Sequence, residues 1–472
     1  MFVLLLVMGY INSGLSDGVR LNSSYEMDVT WYAPFYSGGG YCSEAMSFMF
    51  AAERVEFKNF SISHHGDSVR QMYLNGLTSV EKNGLQYYDV INKHKRIAAT
   101  QSPVLSIEVC HSEPGAWHAP TPRYHTVRCP SERRQTKLFS SDVVTYNIGR
   151  TMFETDRIPN GWVDRLQYMD EIWVPTEFSR EVFVHAGVPS EKVQVVGEAV
   201  DTDFYKPVNY FDLTAVQQEE LGLPPSHLIS PYRTVFLFVG KFETRKGLRD
   251  LFHAYQRAFP QGTTEEVLLL ILTTAYHSTE DMQSELSALL VSEGLSVSTV
   301  PRFLLLTDVK QAGMPYLYSL ASALVIPSHG EGWGRPHTEA MSCGTPVLAT
   351  NWSGPTAFIQ HGSTGYLISI EAQLVPAEGW TGHFWAQPNR TDLIRLLQHV
   401  HQNPDEVRRV GVQAREAVVA HYGLSAIGAE LVQHFERIHH SVLQRSLPTA
   451  AAVGVEAAAD SGMLVREKFE EL

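Results

Sequence analysis

Between His329 and Met341 the chain reads His-Gly-Glu-Gly-Trp-Gly-Arg-Pro-His-Thr-Glu-Ala-Met. Gly330, Gly332 and Gly334 let the backbone come close to a bound group. Pro336 suits the first position of a helix, so a helix is predicted to begin there. Its free N–H groups and the positive end of its dipole would then face the Gly332-Trp333-Gly334-Arg335 loop, a ready site for a diphosphate. Glu331 falls on that loop and Glu339 about one turn into the helix. Two carboxylates would repel a phosphate, so they are read as acceptors for its neutral hydroxyls, on a sugar or a ribose. The plain alternative is that Glu339 pairs with a cation and the glycines only turn the chain.

The run Val239–Gly247 places Lys241 and Lys246 between a strand and a helix, where two cations would stabilise a leaving diphosphate. Arg245, beside them, reads as a solvated basic residue. Gly38-Gly39-Gly40 follows the first strand-like run and on its own reads as a simple turn. His111, in Cys110–Trp117, follows another strand end and is either catalytic or a hydrogen-bonded structural histidine. Glu154 follows a third; it either orients hydroxyls or forms an ion pair with Arg150 or Arg157. Trp162 and Trp173 read as packing residues. The histidines show no metal spacing, and neither a metal nor a cofactor is expected.

Residues spread this far apart need a framework whose strand ends converge. Apolar strand-like runs alternate with amphipathic helix-like runs throughout, the signature of parallel α/β architecture. Strands are predicted at Asp28–Ala33, Val104–Val109, Val143–Tyr146, Glu171–Pro175 and Val193–Val196. After a polar stretch they resume at Val235–Val239, Val267–Leu272, Phe303–Leu306, Ala323–Ile326, Pro346–Ala349 and Gly365–Ile368. Residues 393–442 read as helices only. The expected organisation is a signal-like or flexible start at 1–27 and a Rossmann-like domain at 28–207. A linker at 208–233, a second Rossmann-like domain with closing helices at 234–445 and a flexible tail at 446–472 complete it.

The His329–Met341 segment resembles the E-x7-E motif of retaining GT-B glycosyltransferases (glycosyl transferases group 1), with Glu331 and Glu339 at its ends. Ala340–Val347 resembles the usual continuation. Val239–Gly247 resembles the family's diphosphate-binding turn, with Lys241 where an arginine is usual, which keeps the charge and loses the bidentate fork. Gly197–Pro207 resembles the segment that ends the first domain. The resemblance spans roughly residues 28–440. It implies a GT-B fold, two Rossmann-like domains facing each other across a cleft, with the donor in the second and the acceptor in the first. It also implies transfer of a hexose from a UDP- or GDP-sugar with retention and without a metal. Glu331 would contact the donor sugar, Glu339 the ribose, and the amides around Trp333–Arg335 the phosphate. Only the resemblance implies that Gly39 and Gly40 face the donor across the cleft. Where many relatives carry a histidine, this chain has Glu154. The alternatives are a sugar-nucleotide epimerase or a phosphorylase of related fold, and a non-catalytic nucleotide-sugar binder, against which the intact Glu331, Glu339 and Lys246 argue. The acceptor, whether carbohydrate, lipid or protein, is left open.

Composition fits a globular protein, with 44% hydrophobic and 19% charged residues. A net charge of −14 argues against nucleic acid or anionic lipid as the main partner. An anionic nucleotide sugar then needs a locally positive pocket. The four cysteines, Cys42, Cys110, Cys129 and Cys343, are read as ordinary thiols with room for one bridge. Phe2–Ile11 is too short to span a bilayer and resembles the apolar core of a signal peptide without its basic leader. No transmembrane helix is expected, and either the cytoplasm or the secretory pathway fits.

Overall fold

A computed structural model of the chain describes residues 27–57, 59–97, 105–118, 121–124, 126–131, 144–260, 265–274, 281–295 and 300–446. The signal-like run Phe2–Ile11 and the tail beyond Ser446 lie outside these residues.

Two six-stranded sheets dominate. The first contains β1 (Met27–Ala33), β2 (Phe60–His64), β3 (Leu105–His111), β4 (Val144–Arg150), β5 (Glu171–Val174) and β6 (Val193–Val195), in the order β2-β1-β3-β4-β5-β6. The second contains β7 (Thr234–Lys241), β8 (Val267–Thr274), β9 (Phe303–Leu306), β10 (Ala323–Ile326), β11 (Val347–Thr350) and β12 (Tyr366–Ile368), in the order β12-β11-β10-β7-β8-β9. Every pairing in both is parallel. Parallel strands covered by helices on both faces must be apolar along their length. Val267–Ile271 of β8 are accordingly all buried. A small antiparallel pair, β13 (Val375–Pro376) and β14 (Phe384–Trp385), stands outside both sheets.

Helices α1 (Gly40–Arg54) and α2 (Ser79–Ile97) cover part of the first sheet, and α3 (Glu177–His185) links β5 to β6. In the second half come α4 (Leu248–Ala258), α5 (Met282–Ser292), α6 (Met314–Leu320) and α7 (Arg335–Ser342). Three closing helices follow, α8 (Arg390–Gln402), α9 (Pro404–Tyr422) and α10 (Leu424–Ser446). They divide between the halves. Leu393, Leu396, Val410 and Ala414 join the second core, whereas Leu424, Ile427, Leu431 and Phe435 of α10 join the first. Tyr210, Leu223 and Ile229, from the polar stretch 208–233, are also buried in the second core. The chain therefore crosses between domains twice. The crossings lie side by side, since the Val200 amide donates to the Tyr422 carbonyl at 2.8 Å.

Three features depart from the sequence reading. Strand β2 and the β13–β14 pair were not expected; β2 has only five residues and lies at the sheet edge. Helix α7 begins at Arg335, one residue before Pro336. Cys110 and Cys129 form a disulfide, while Cys42 and Cys343 are buried thiols. Among the described residues no helix is long and apolar enough to cross a membrane.

Candidate active site between the two sheets

Each sheet reverses its strand order once, and in open α/β sheets the crevice at that point, beyond the carboxyl ends of the strands, is where ligands bind. In the second sheet the reversal lies between β7 and β10. Beyond β7 runs the loop with Lys241, Arg245 and Lys246; beyond β10 runs Ser328–Gly334. The His329 amide donates to the Arg245 carbonyl at 2.8 Å, tying the loops together. Gly334 has φ +113°, a left-handed conformation that turns the chain into α7. Gly330 is pressed against the first domain, and a Cβ there would lie 2.3 Å from the Glu154 carbonyl oxygen. These loops face α1 and Met152–Thr155 across a cavity of about 920 Å³.

The cavity holds a dense ion cluster. Lys246 Nζ lies 2.8 and 2.9 Å from the two carboxylate oxygens of Glu331. Arg245 Nη1 donates to Glu331 at 3.0 Å and to the Gly330 carbonyl at 2.8 Å, and its Nη2 to Glu243 at 2.7 Å. The Glu331 carboxyl is buried, and burial alone would favour its neutral form. Lys246 and Arg245 outweigh that and hold its pKa at about 2. Arg245 also reaches Glu154 of the first domain at 3.6 Å.

The first domain answers with a buried polar chain. The Trp31 indole donates to His111 Nδ1 at 3.0 Å, so Nδ1 is an acceptor. The proton therefore sits on Nε2, 2.9 Å from Glu44. Burial foremost, helped by the Arg150 charge, keeps His111 below the usual histidine range. Arg150 Nε donates to the other Glu44 oxygen at 2.7 Å. Burial opposes ionisation of Glu44 too, but Arg150 and His111 prevail and its pKa is lowered. Nearby Glu198 is raised, first by burial and then by the Glu44 charge. Arg335, from the second domain, reaches over to Glu198 at 3.3 Å and to Ser47 Oγ at 2.9 Å. One arginine of the glycine loop thus bridges the cleft.

Residues 223–374 match the model of the family described as glycosyl transferases group 1. These residues belong to that family. The matched stretch contains β7 to β12, both cleft loops and α7. The chain is 27% identical over 235 residues to a D-inositol 3-phosphate glycosyltransferase of Streptomyces bingchenggensis, covering 50% of this chain and 46% of the relative. It is 28% identical over 200 residues to an O-antigen chain mannosyltransferase B of Escherichia coli, covering 40% and 48%. The chain thus spans about half the length of these curated relatives. Among solved structures, Anabaena HepE in complex with UDP and glucose superposes with a TM-score of 0.59 at 14% identity, over 87% of this chain and 100% of that one. A sucrose-phosphate synthase from Thermosynechococcus elongatus gives 0.58 at 16%, over 88% and 100%. The fold is GT-B.

Within the group 1 stretch, Glu331, Lys241, Lys246, Gly332, Trp333, Gly334 and Arg335 all line the cavity. Glu339 does not. It sits one turn back on α7, accepts from the Tyr318 hydroxyl at 2.8 Å, and has its pKa raised by burial. From the other domain, Gly40 and Glu154 line the cavity, and Gly39 caps the start of α1 beside them. The ion pairs anticipated for Glu154 are not formed, because Arg150 is taken by Glu44 and Arg157 by Asp156. His111 is fully buried behind Glu44 with both ring nitrogens engaged, and it does not line the cavity. Arg245, read from sequence as solvated, is instead a central member of the group 1 ion cluster. Trp162 is buried yet lines the cavity, whereas Trp173 packs against Phe435 of α10. Glu44 and Glu198 were missed. They stand far apart in sequence, and only the tertiary fold brings them together.

Proposed function

We propose that this protein transfers a hexose from a nucleotide-diphosphate sugar to an acceptor hydroxyl, with retention of anomeric configuration. The observation that carries the reading is the pairing of Lys246 and Arg245 with Glu331 at the switch point of the group 1 stretch, under the start of α7. Bond cleavage leaves negative charge on the diphosphate. Lys241, Lys246, Arg245 and the amides of Gly332–Arg335 are the groups placed to hold it. Because they are fixed before the reaction, little reorganisation is needed as the charge develops. In this reading Glu331 moves its hydrogen bonding from the cations to donor-sugar hydroxyls when the diphosphate arrives, and Glu339 takes the ribose. Glu154 faces the sugar from the first domain. Gly39 and Gly40 allow the donor to lie close to α1.

The test has two arms. A thermal-shift screen with UDP-glucose, UDP-N-acetylglucosamine and GDP-mannose should give a stabilisation that grows with ligand concentration for at least one of them. Glu331→Gln should lower transfer at least about a hundredfold, the scale of removing one aligned electrostatic partner, without loss of the fold. Near-normal turnover in that variant would overturn the site assignment. Recovery of an intact nucleotide sugar, or dependence on free phosphate, would favour an epimerase or a phosphorylase.

A further inference from the structure

One wall of the cavity is built by the β13–β14 hairpin, to which the proposed donor chemistry assigns no role. The hairpin belongs to the second domain and is clamped to the first. The Asp156 amide donates to the Phe384 carbonyl at 2.9 Å, and the Phe384 amide donates to Asp156 Oδ1 at 2.8 Å. Thr155 Oγ1 and His383 Nδ1 are 2.8 Å apart. Between the two strands, Trp380 packs edge-on against Phe153, with ring centroids 4.8 Å apart and planes at 86°. Phe153 is backed in turn by buried Trp162 at 5.2 Å. Trp380 nevertheless stays 42% exposed, and it lines the cavity together with Glu378 and Glu154.

An indole fixed on one side and open on the other, beside two carboxylates, is matched to one kind of ligand. Leaving a large aromatic surface in water is unfavourable, so a ligand that covers it gains from burial. The electron-rich ring attracts polarised C–H bonds, which a pyranose presents on its faces, while its equatorial hydroxyls point outward, where carboxylates can accept them. A lipid chain would have to lie among the twelve charged side chains that line the cavity. A phosphorylated acceptor would meet the like charges of Glu378 and Glu154.

We infer that Trp380 is an acceptor-binding platform, and that the acceptor presents a neutral pyranose ring to it. The role as acceptor rests on the proposed transfer reaction; the binding of the sugar does not. The hairpin's clamp on Thr155–Asp156 makes the platform a composite of both domains, assembled only when the cleft is formed.

The test uses the full chain and two probes, methyl α-D-glucopyranoside and myo-inositol 1-phosphate, in saturation-transfer difference NMR with UDP or GDP present. Ring C–H signals should appear for the neutral pyranoside and be weaker or absent for the phosphate. Trp380→Ala should weaken pyranoside binding about tenfold, and Trp380→Phe should restore most of it. Calorimetry of UDP and GDP should change less than twofold in both variants. Equal pyranoside binding by Trp380→Ala, a preference for the phosphate, or no pyranoside signal from the native chain would each overturn the inference. Trp380-dependent pyranoside binding in a protein that binds neither nucleotide would keep the platform and remove the transfer reaction.

Discussion

Replacing Lys246 with methionine keeps most of the side-chain volume and removes one of the two cations that hold Glu331. The Glu331 carboxyl is displaced from its ordinary 4.5 to about 2 in the folded protein. One pKa unit corresponds to about 1.4 kcal/mol, so the displacement corresponds to about 3 kcal/mol favouring the ionised folded form. Because the folded pKa lies below the unfolded one, this stabilisation is fully present above about pH 4.5. It is lost as the pH falls toward about 2. Arg245 remains 3.0 Å away in the variant and retains part of the effect. We therefore expect Lys246→Met to cost about 2 kcal/mol at neutral pH, below the usual loss for breaking a buried pair outright. The cost should shrink as the pH approaches 3. Urea unfolding of the native chain, Lys246→Met, Glu331→Gln and the double variant, at pH 7 and pH 3, reads this directly. The double variant should lose less than the sum of the single ones, by a coupling of about 2 kcal/mol at pH 7. Strict additivity, or a Lys246→Met cost independent of pH, would refute the assignment of the Glu331 shift to this pair.

Gly330→Ala should force the cleft apart, since the new methyl would lie 2.3 Å from the Glu154 carbonyl. Small-angle scattering should show a larger radius of gyration, with transfer strongly reduced; unchanged scattering together with native transfer would count against the close approach. Glu198→Gln should stabilise the protein increasingly as the pH rises. The Glu198 carboxyl is raised in the folded state, so the native chain folds with a proton there and loses stability from about pH 4.5 upward, whereas glutamine has no proton to lose. Melting temperatures of the two at pH 5 and pH 8.5 should diverge in that direction; a constant difference would contradict the buried-acid reading.

Much of the fold was legible because parallel strands covered on both faces carry the strongest sequence signal. Val267–Ile271 and Ala323–Ile326 have no polar interruption and were located closely. Strand β2 reads Phe-Ser-Ile-Ser-His at a sheet edge, where two serines break the apolar run. The hairpin strands have two residues each, too few for any period. The glycine loop was legible because a local backbone demand fixes residue type and spacing together; it places Glu331 on the cavity and leaves Glu339 off it. Arg245 was misread because its position among Thr244 and Lys246 looks like a solvated turn. Its three acidic partners come from Glu154, Glu243 and Glu331. Two of those lie far away in the chain, and no spacing rule connects them. The Cys110–Cys129 bridge was equally hidden, because a separation of 19 says nothing about whether two thiols meet.

The charge pattern of the cavity bears on how a donor would enter. A negative chain binding an anionic nucleotide suggests a positive pocket, and the described residues do not form one at the cleft. Among the described residues lining the cavity, five are cations (Lys241, Arg245, Lys246, Arg249 and Arg335) and seven are acids (Glu44, Glu113, Glu154, Glu198, Glu243, Glu331 and Glu378). Glu44 is neutralised from behind by Arg150, and the raised pKa of Glu198 favours its neutral form. The remaining acids and cations then nearly balance. A diphosphate entering such a site gains little from net attraction at long range. It must instead compete for Lys246 and Arg245 against Glu331 and Glu243, which already hold them. Under the proposed function, donor affinity would depend on whether the sugar hydroxyls can satisfy the carboxylate that the diphosphate displaces. A bare nucleoside diphosphate offers Glu331 no such hydroxyls. The intact donor should consequently bind more tightly than the corresponding diphosphate in the native chain, and Glu331→Gln should erase or invert that preference, because the competing charge is gone.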